Sequence, residues 1–164
     1  MGIIIVVVGF VLLWGGLAYN RLVRLRVRAE AAWRDIDTQL KRRWDLIPNV
    51  VETVKGYAAH ESGVFESVTL ARTRAIDAAG PQQQAVAEEG LKGAMKSLFA
   101  VVESYPELKA NESFLQMQQT LEQVEDAIQR SRRYYNAVVR DLNTSIQTFP
   151  RNILASLFRF EERE

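Results

Sequence analysis

Residues 114 to 150 read FLQMQQTLEQVEDAIQRSRRYYNAVVRDLNTSIQTFP, and this stretch decides the fold. Phe114, Leu121, Ile128, Tyr135, Leu142 and Phe149 recur at a spacing of seven. Met117, Val124, Ser131, Val138 and Ser145 occupy the interleaved positions. An apolar heptad sustained in this way is one face of a single long helix. At 1.5 Å per residue that helix measures about 57 Å, so it needs helical partners of comparable length. Pro150 ends it, and Asn111 is placed to cap its start, three residues before Phe114.

Working upstream, the same periodicity holds. Gln82 to Ser104 places Ala87, Leu91, Ala94, Met95, Leu98 and Val102 on one face, weakened by Gly90 and Gly93. Gly80-Pro81 is a stop before it. A helix over Asn49 to Ala78 is expected from Val50, Val54, Tyr57, Ala58, Val64, Val68, Ala71 and Ala75. Gly56 and Gly63 interrupt it, which fits a bend or a close approach to another helix. From Asn20 to Ile47, the stripe is Leu22, Ala29, Trp33, Ile36, Leu40, Trp44 and Ile47, with Arg34, Lys41, Arg42 and Arg43 mostly off it. Pro48 disfavours helix at Ile47, so a kink or turn is expected there. Downstream of Pro150, residues 151 to 164 form a short amphipathic tail with Ile153, Leu154, Leu157, Phe158 and Phe160. Such a tail packs back on the bundle, lies on a bilayer or binds another subunit, packing back being the commonest outcome.

The first residues, GIIIVVVGFVLLWGGLAYN over 2 to 20, contain no charged side chain. As a helix, Gly2 to Ala18 covers about 25 Å, close to the roughly 30 Å of a bilayer's hydrocarbon core. Trp14 and Tyr19 stand toward the charged end, where amphipathic rings favour the interface. No basic residue precedes the run and no small-residue cleavage site follows it, so an uncleaved anchor is expected rather than a signal peptide. Arg21, Arg24, Arg26, Arg28 and Arg34 follow it. The positive-inside rule then sets the N-terminus outside and the large domain in the cytoplasm, as a single-pass protein. Held at the bilayer, Arg21, Arg24, Arg26 and Arg28 are expected to meet anionic headgroups, each contributing about 1 kcal/mol.

The expected fold class is all-α: an N-terminal transmembrane helix continuing into an elongated antiparallel four-helix bundle. Its expected divisions are an anchor over 1–20, a bundle over 21–150 and the tail over 151–164.

Composition narrows the chemistry. The chain has 164 residues, no Cys, one His and a net charge of +1. Thiol enzymes, disulfide scaffolds, zinc ribbons and haem-attachment motifs are excluded, and a basic nucleic-acid binder is disfavoured. His60 has no second His to share a metal with and no Glu-x-x-His motif beside it, so it reads as a surface or capping residue. The acidic clusters Glu88-Glu89, Glu122-Glu125-Asp126 and Glu161-Glu162 read as solvated faces. No phosphate loop, dinucleotide fingerprint, nucleophile elbow or zincin motif occurs. No catalytic residue, cofactor or metal is expected.

Three stretches together point to a family. They are YNRLV at 19–23 running through Ala32-Trp33, DTQLKRRWDLIPNVVETVKGY at 37–57, and YYNA at 134–137 continuing through NTSIQTFP at 143–150. This pattern resembles the bacterial LemA family. The resemblance implies an inner-membrane protein with one N-terminal helix and a four-helix bundle, without agreed catalytic residues or a cofactor. The family is related to a magnetosome protein, which implies a link to membrane shaping. Members commonly run further past the Phe-Pro, so any contact made by a longer tail is in question here.

Within the motif, Lys41, Arg42, Arg43, Asp45, Pro48 and Asn49 read either as a corner between helices or as a partner surface. The Asn143-Thr144-Ser145 face has the same two readings. Two functions of different class follow. One is a non-enzymatic scaffold that forms homo-oligomers and organises or bends the inner membrane. The other is an adaptor or regulator of another membrane protein, such as a protease or signalling complex. Nucleic acid is not an expected partner.

Overall fold

A computed structural model describes residues 1–163, and every regular element among them is helical. The elements are α1 (Gly2–Lys55), α2 (Ser62–Asp77), α3 (Gly80–Glu103), α4 (Pro106–Lys109), α5 (Glu112–Gln147) and α6 (Arg151–Leu157). The all-α expectation holds, and α3 and α5 fall close to the ranges that their periodicity predicts. The chain divides into two compact units, one comprising residues 1–37 and 129–164 and the other residues 38–128.

The 38–128 unit is a helical bundle around one core. Ile47, Val50 and Val54 of α1 pack with Phe65, Val68 and Ala75 of α2 and Leu91, Leu98 and Val102 of α3. Leu108 of α4 and Phe114 and Leu121 of α5 complete the core. Each such large side chain contributes about 1.5 to 3 kcal/mol when fully buried. Asn111 caps α5 as expected: its Oδ1 accepts from the Phe114 N–H at 3.0 Å, and its Nδ2 donates to the Tyr57 hydroxyl at 3.1 Å.

Of the kink or turn expected at Pro48, the turn is not formed. Proline lies inside α1, and the helix continues to Lys55. The turn falls instead at Gly56 to Glu61, where the Tyr57 and Ala58 N–H groups both reach back to the Val54 carbonyl. The next helix is therefore α2 alone, with 16 residues rather than the thirty or so of Asn49 to Ala78. A proline in a helix orphans the carbonyl four residues earlier. Here that carbonyl belongs to Trp44, and Arg72 Nε donates to it at 2.7 Å. Of the two readings of Gly56 and Gly63, the break between α1 and α2 fits a bend, and a Cβ at Gly63 would meet open space rather than a close helix. Gly80 has a structural reason: its φ of +80° opens α3 just ahead of Pro81.

In the 1–37 and 129–164 unit, Leu22, Ala29, Ala32 and Ile36 of α1 are buried, as are Tyr135, Val138, Leu142 and Ser145 of α5. Trp33 and Tyr135 meet edge to face with centroids 5.3 Å apart. The heptad thus continues through α5 but stops short of Phe149, which lies past the helix end and is exposed. The cause is Pro150, which disfavours helical geometry in the residue before it.

The tail folds back within this unit. Ala155 and Phe160 pack on Leu22, with Val23 and Ile146 beside them. α6 ends in a reversal at Arg159 (φ 53°), where the Phe160 N–H reaches the Ala155 carbonyl at 2.9 Å and the Arg159 N–H the Ser156 carbonyl at 3.3 Å. This is the Schellman pattern of helix termination. It turns Phe160 toward Tyr19, with centroids 5.9 Å apart, and under Arg26, whose guanidinium carbon sits 5.3 Å from the ring centre.

Candidate functional site: a membrane-proximal surface and a polar core

α1 carries two successive surfaces in its first half. Ile3 to Leu13 is an exposed apolar run, continued by Leu17. This helix is the one element among the described residues that is long and apolar enough to cross a membrane. Directly after it, Arg21, Arg24, Arg26 and Arg28 are all exposed. Buried Leu22, Leu25 and Ala29 alternate with them, so the same turns that bind α1 into its unit present the guanidinium groups outward. Arg26 also sits over the Phe160 ring.

The last residues of the chain fix this surface further. Asn143 grips the backbone of Arg163 twice, donating from Nδ2 to its carbonyl at 2.8 Å and accepting from its N–H at 3.0 Å. The Arg163 guanidinium donates to Glu30 at 2.8 Å, and Gln147 donates to Glu162 at 2.9 Å. Asn143 is accordingly engaged by the chain itself and Ser145 is buried, while Thr144 between them is exposed. Burial raises the Tyr135 hydroxyl above its ordinary value, partly offset by the positive charge of Arg163.

Five of the six motif residues share one face. Lys41, Arg42, Asp45, Pro48 and Asn49 are exposed, and at about 100° per residue they fall within a third of a turn of α1. Arg43 is turned the other way, with a side chain only 11% exposed. Its off-stripe assignment is therefore corrected: it occupies the core side between Leu40 and Ile47. It forms an ion pair with Glu88, itself 4% exposed, and its Nη1 donates to Glu125 at 2.7 Å.

Glu88 is the second correction, because it belongs to no solvated cluster. Its Oε1 accepts from Trp44 Nε1 and from Gln84 Nε2, each at 3.0 Å. Gln84 Nε2 also donates to the Ala75 carbonyl at 3.1 Å, satisfying an end group of α2. The centre joins α1, α2, α3 and α5 through these contacts. Such a carboxylate serves as a pin between helices, since a buried charge with matched donors is held rather than offered to a substrate. Gln84 and Glu88 were legible in principle: they prolong the Leu91, Ala94, Leu98, Val102 face by two further steps of helical spacing. Their polarity hid them.

An open groove lies between α2 and α3. It measures about 770 Å³ and is floored by Ala71, Ala87, Gly90 and Ala94 and rimmed by Leu70 and Val86. Both rim residues are exposed. No group of three or more His, Cys, Asp or Glu able to hold a metal occurs among the described residues.

The family model for the LemA family matches residues 32–164. The chain belongs to the LemA family. It is 27% identical over 174 aligned residues to magnetosome protein MamQ 2 of Paramagnetospirillum magneticum, covering 90% of this chain and 64% of that protein. Magnetosome protein MamQ of Magnetospirillum gryphiswaldense is 25% identical over the same shares. Protein LemA of Metamycoplasma hominis is 27% identical over 140 residues, 83% of this chain and 63% of that protein. The chain thus spans a little under two thirds of the relatives it matches. The LemA match begins at Ala32, so it takes in the motif face, the polar centre and the tail that closes on Asn143.

Proposed function

We propose that this LemA-family chain is a membrane-anchored, non-enzymatic scaffold that self-associates and organises the bilayer of the bacterial inner membrane. One observation carries the reading: in a single helix, an exposed apolar run passes without a break into the exposed guanidinium groups of Arg21, Arg24, Arg26 and Arg28. That sequence of surfaces suits a hydrocarbon core followed by an anionic headgroup layer. By the same charge bias the N-terminus lies outside and the helical units lie in the cytoplasm. The magnetosome proteins among its relatives support a role in membrane organisation.

The long heptad of α5 is buried within its own chain, so it does not need a second copy. Among the exposed surfaces open to a partner are the α2–α3 groove and the Lys41 to Asn49 face. The same groove supports the second reading, an adaptor for another membrane protein, because exposed Leu70 and Val86 beside small residues would admit a foreign helix. Crosslinking in native membranes separates the two. Self-links through Leu70→Cys and Val86→Cys are the result expected of a scaffold, and one dominant foreign partner would replace it with the adaptor reading.

A further inference from the structure

α6 has two unlike sides. Ala155 is buried against Leu22, whereas Ile153 and Leu157 are 59% and 71% exposed. At about 100° per residue both lie some 160° around the helix from Ala155. Phe149 and Phe158, at either end of α6, are exposed as well. In water, four large apolar side chains left open on so short an element would be unfavourable.

Their position along α1 resolves this. The Phe158 ring lies 4.7 Å from the Tyr19 ring, and α6 packs on Leu22. Tyr19 is the first residue after the apolar run, and Leu22 is about 6 Å beyond Ala18 at 1.5 Å per residue. The headgroup layer adds about 5 to 7 Å on each side of the hydrocarbon core. A spanning α1 therefore holds α6 at headgroup depth, with Ile153 and Leu157 facing away from it. The neighbouring cations, Arg21, Arg24 and Arg26, match anionic headgroups at the same depth.

We infer that α6 is a second membrane-contact element, whose Phe149, Ile153, Leu157 and Phe158 enter the headgroup–acyl boundary of an anionic bilayer. The short helix clamps the base of α1 from one side and takes hold of lipid on the other. An anchor with one attachment swivels; one with a lateral foot at the interface holds a fixed tilt. Interfacial elements bury their apolar face by about 5 to 10 Å, which is within reach of these side chains. The inference rests on the anchoring of α1 and is separable from self-association.

The chain has no Cys, so each introduced one is unique. Spin labels at Ile153→Cys, Leu157→Cys, Phe10→Cys and Arg133→Cys are read in vesicles of phosphatidylglycerol and phosphatidylethanolamine, as relative collision with oxygen and with a water-soluble nickel chelate. The expected order is Phe10 deepest, Ile153 and Leu157 at the interface, and Arg133 in water. Neutral vesicles should leave Phe10 unchanged and move the α6 labels outward. Labels at 153 and 157 as water-accessible as the one at 133, with Phe10 still deep, would overturn the inference while leaving the anchor intact. So would α6 labels shielded from both reagents and strongly coupled to each other, since a second copy would then cover the face. A water-accessible Phe10 label would remove the anchor and this inference with it.

Discussion

Arg72 Nε donates to the backbone carbonyl of Trp44 at 2.7 Å, and Trp44 is the residue whose helical hydrogen bond Pro48 cannot supply. A side chain from α2 thus completes the backbone of α1 at the point where proline breaks its ladder. Replacing Arg72 by Leu should leave the carbonyl with neither donor, costing about 1.5 to 3 kcal/mol. In a Pro48→Ala background the backbone N–H restored at position 48 takes over, and the same replacement should cost less than about 1 kcal/mol. Denaturant melts of the four detergent-solubilised variants measure the coupling. Equal costs in the two backgrounds would separate Arg72 from the proline.

The Arg43–Glu88 pair is held inside the bundle, with Trp44 and Gln84 as additional donors. Breaking one side of a buried pair leaves an uncompensated charge. Arg43→Met should therefore destabilise by about 3 to 5 kcal/mol, because Glu88 then keeps only the neutral donors Trp44 and Gln84. The double replacement Arg43→Met with Glu88→Leu should recover most of that loss, because apolar groups of similar volume remove both charges. Thermal melts followed by circular dichroism test it; a double variant no more stable than Arg43→Met alone would contradict the pin.

Arg159 adopts a left-handed conformation at the end of α6, with φ of 53°. A side chain there costs roughly 1 to 2 kcal/mol, and glycine avoids it. Arg159→Gly is expected to slow hydrogen exchange at the Phe160 amide, which bonds the Ala155 carbonyl. Faster exchange at that amide would show that the Arg side chain itself holds the reversal.

Partial burial lifts the Asp37 carboxyl above its ordinary value of 3.8. An acid whose folded value is raised stabilises the fold while protonated, and that contribution fades as pH rises through the folded value. At pH 7 the ionised group is a small penalty. Asp37→Asn should raise the melting temperature slightly at pH 7 and leave it unchanged below about pH 4. A rise of equal size at both pH values would assign the effect to something other than ionisation.

Much of the fold was readable because apolar residues in helices repeat at a fixed spacing. Leu91, Leu98 and Val102, and Phe114, Leu121 and Ile128, mark their helix faces directly. What periodicity could not convey was long-range compensation. Pro48 read as a corner because the donor that rescues Trp44 comes from Arg72, 28 residues away. Arg43 and Glu88 read as surface because a charge on a core position looks like an error in the stripe until its partner is known. In the first half of α1 the reverse holds: the exposure of Arg21, Arg24, Arg26 and Arg28 was legible, since it follows from the alternation with Leu22 and Leu25. The return of the tail to Leu22 and Tyr19 is only the commonest of three outcomes that its amphipathic pattern allows, because its contacts are far apart in sequence.

The proposed scaffold role requires the anchored chain to organise a bilayer through contacts between its copies. Electron cryomicroscopy of vesicles carrying the full chain at increasing surface density addresses it in one measurement. Clustered copies, with vesicle curvature that changes as density rises, are the result the scaffold requires. Isolated single copies on vesicles indistinguishable from protein-free ones would contradict it.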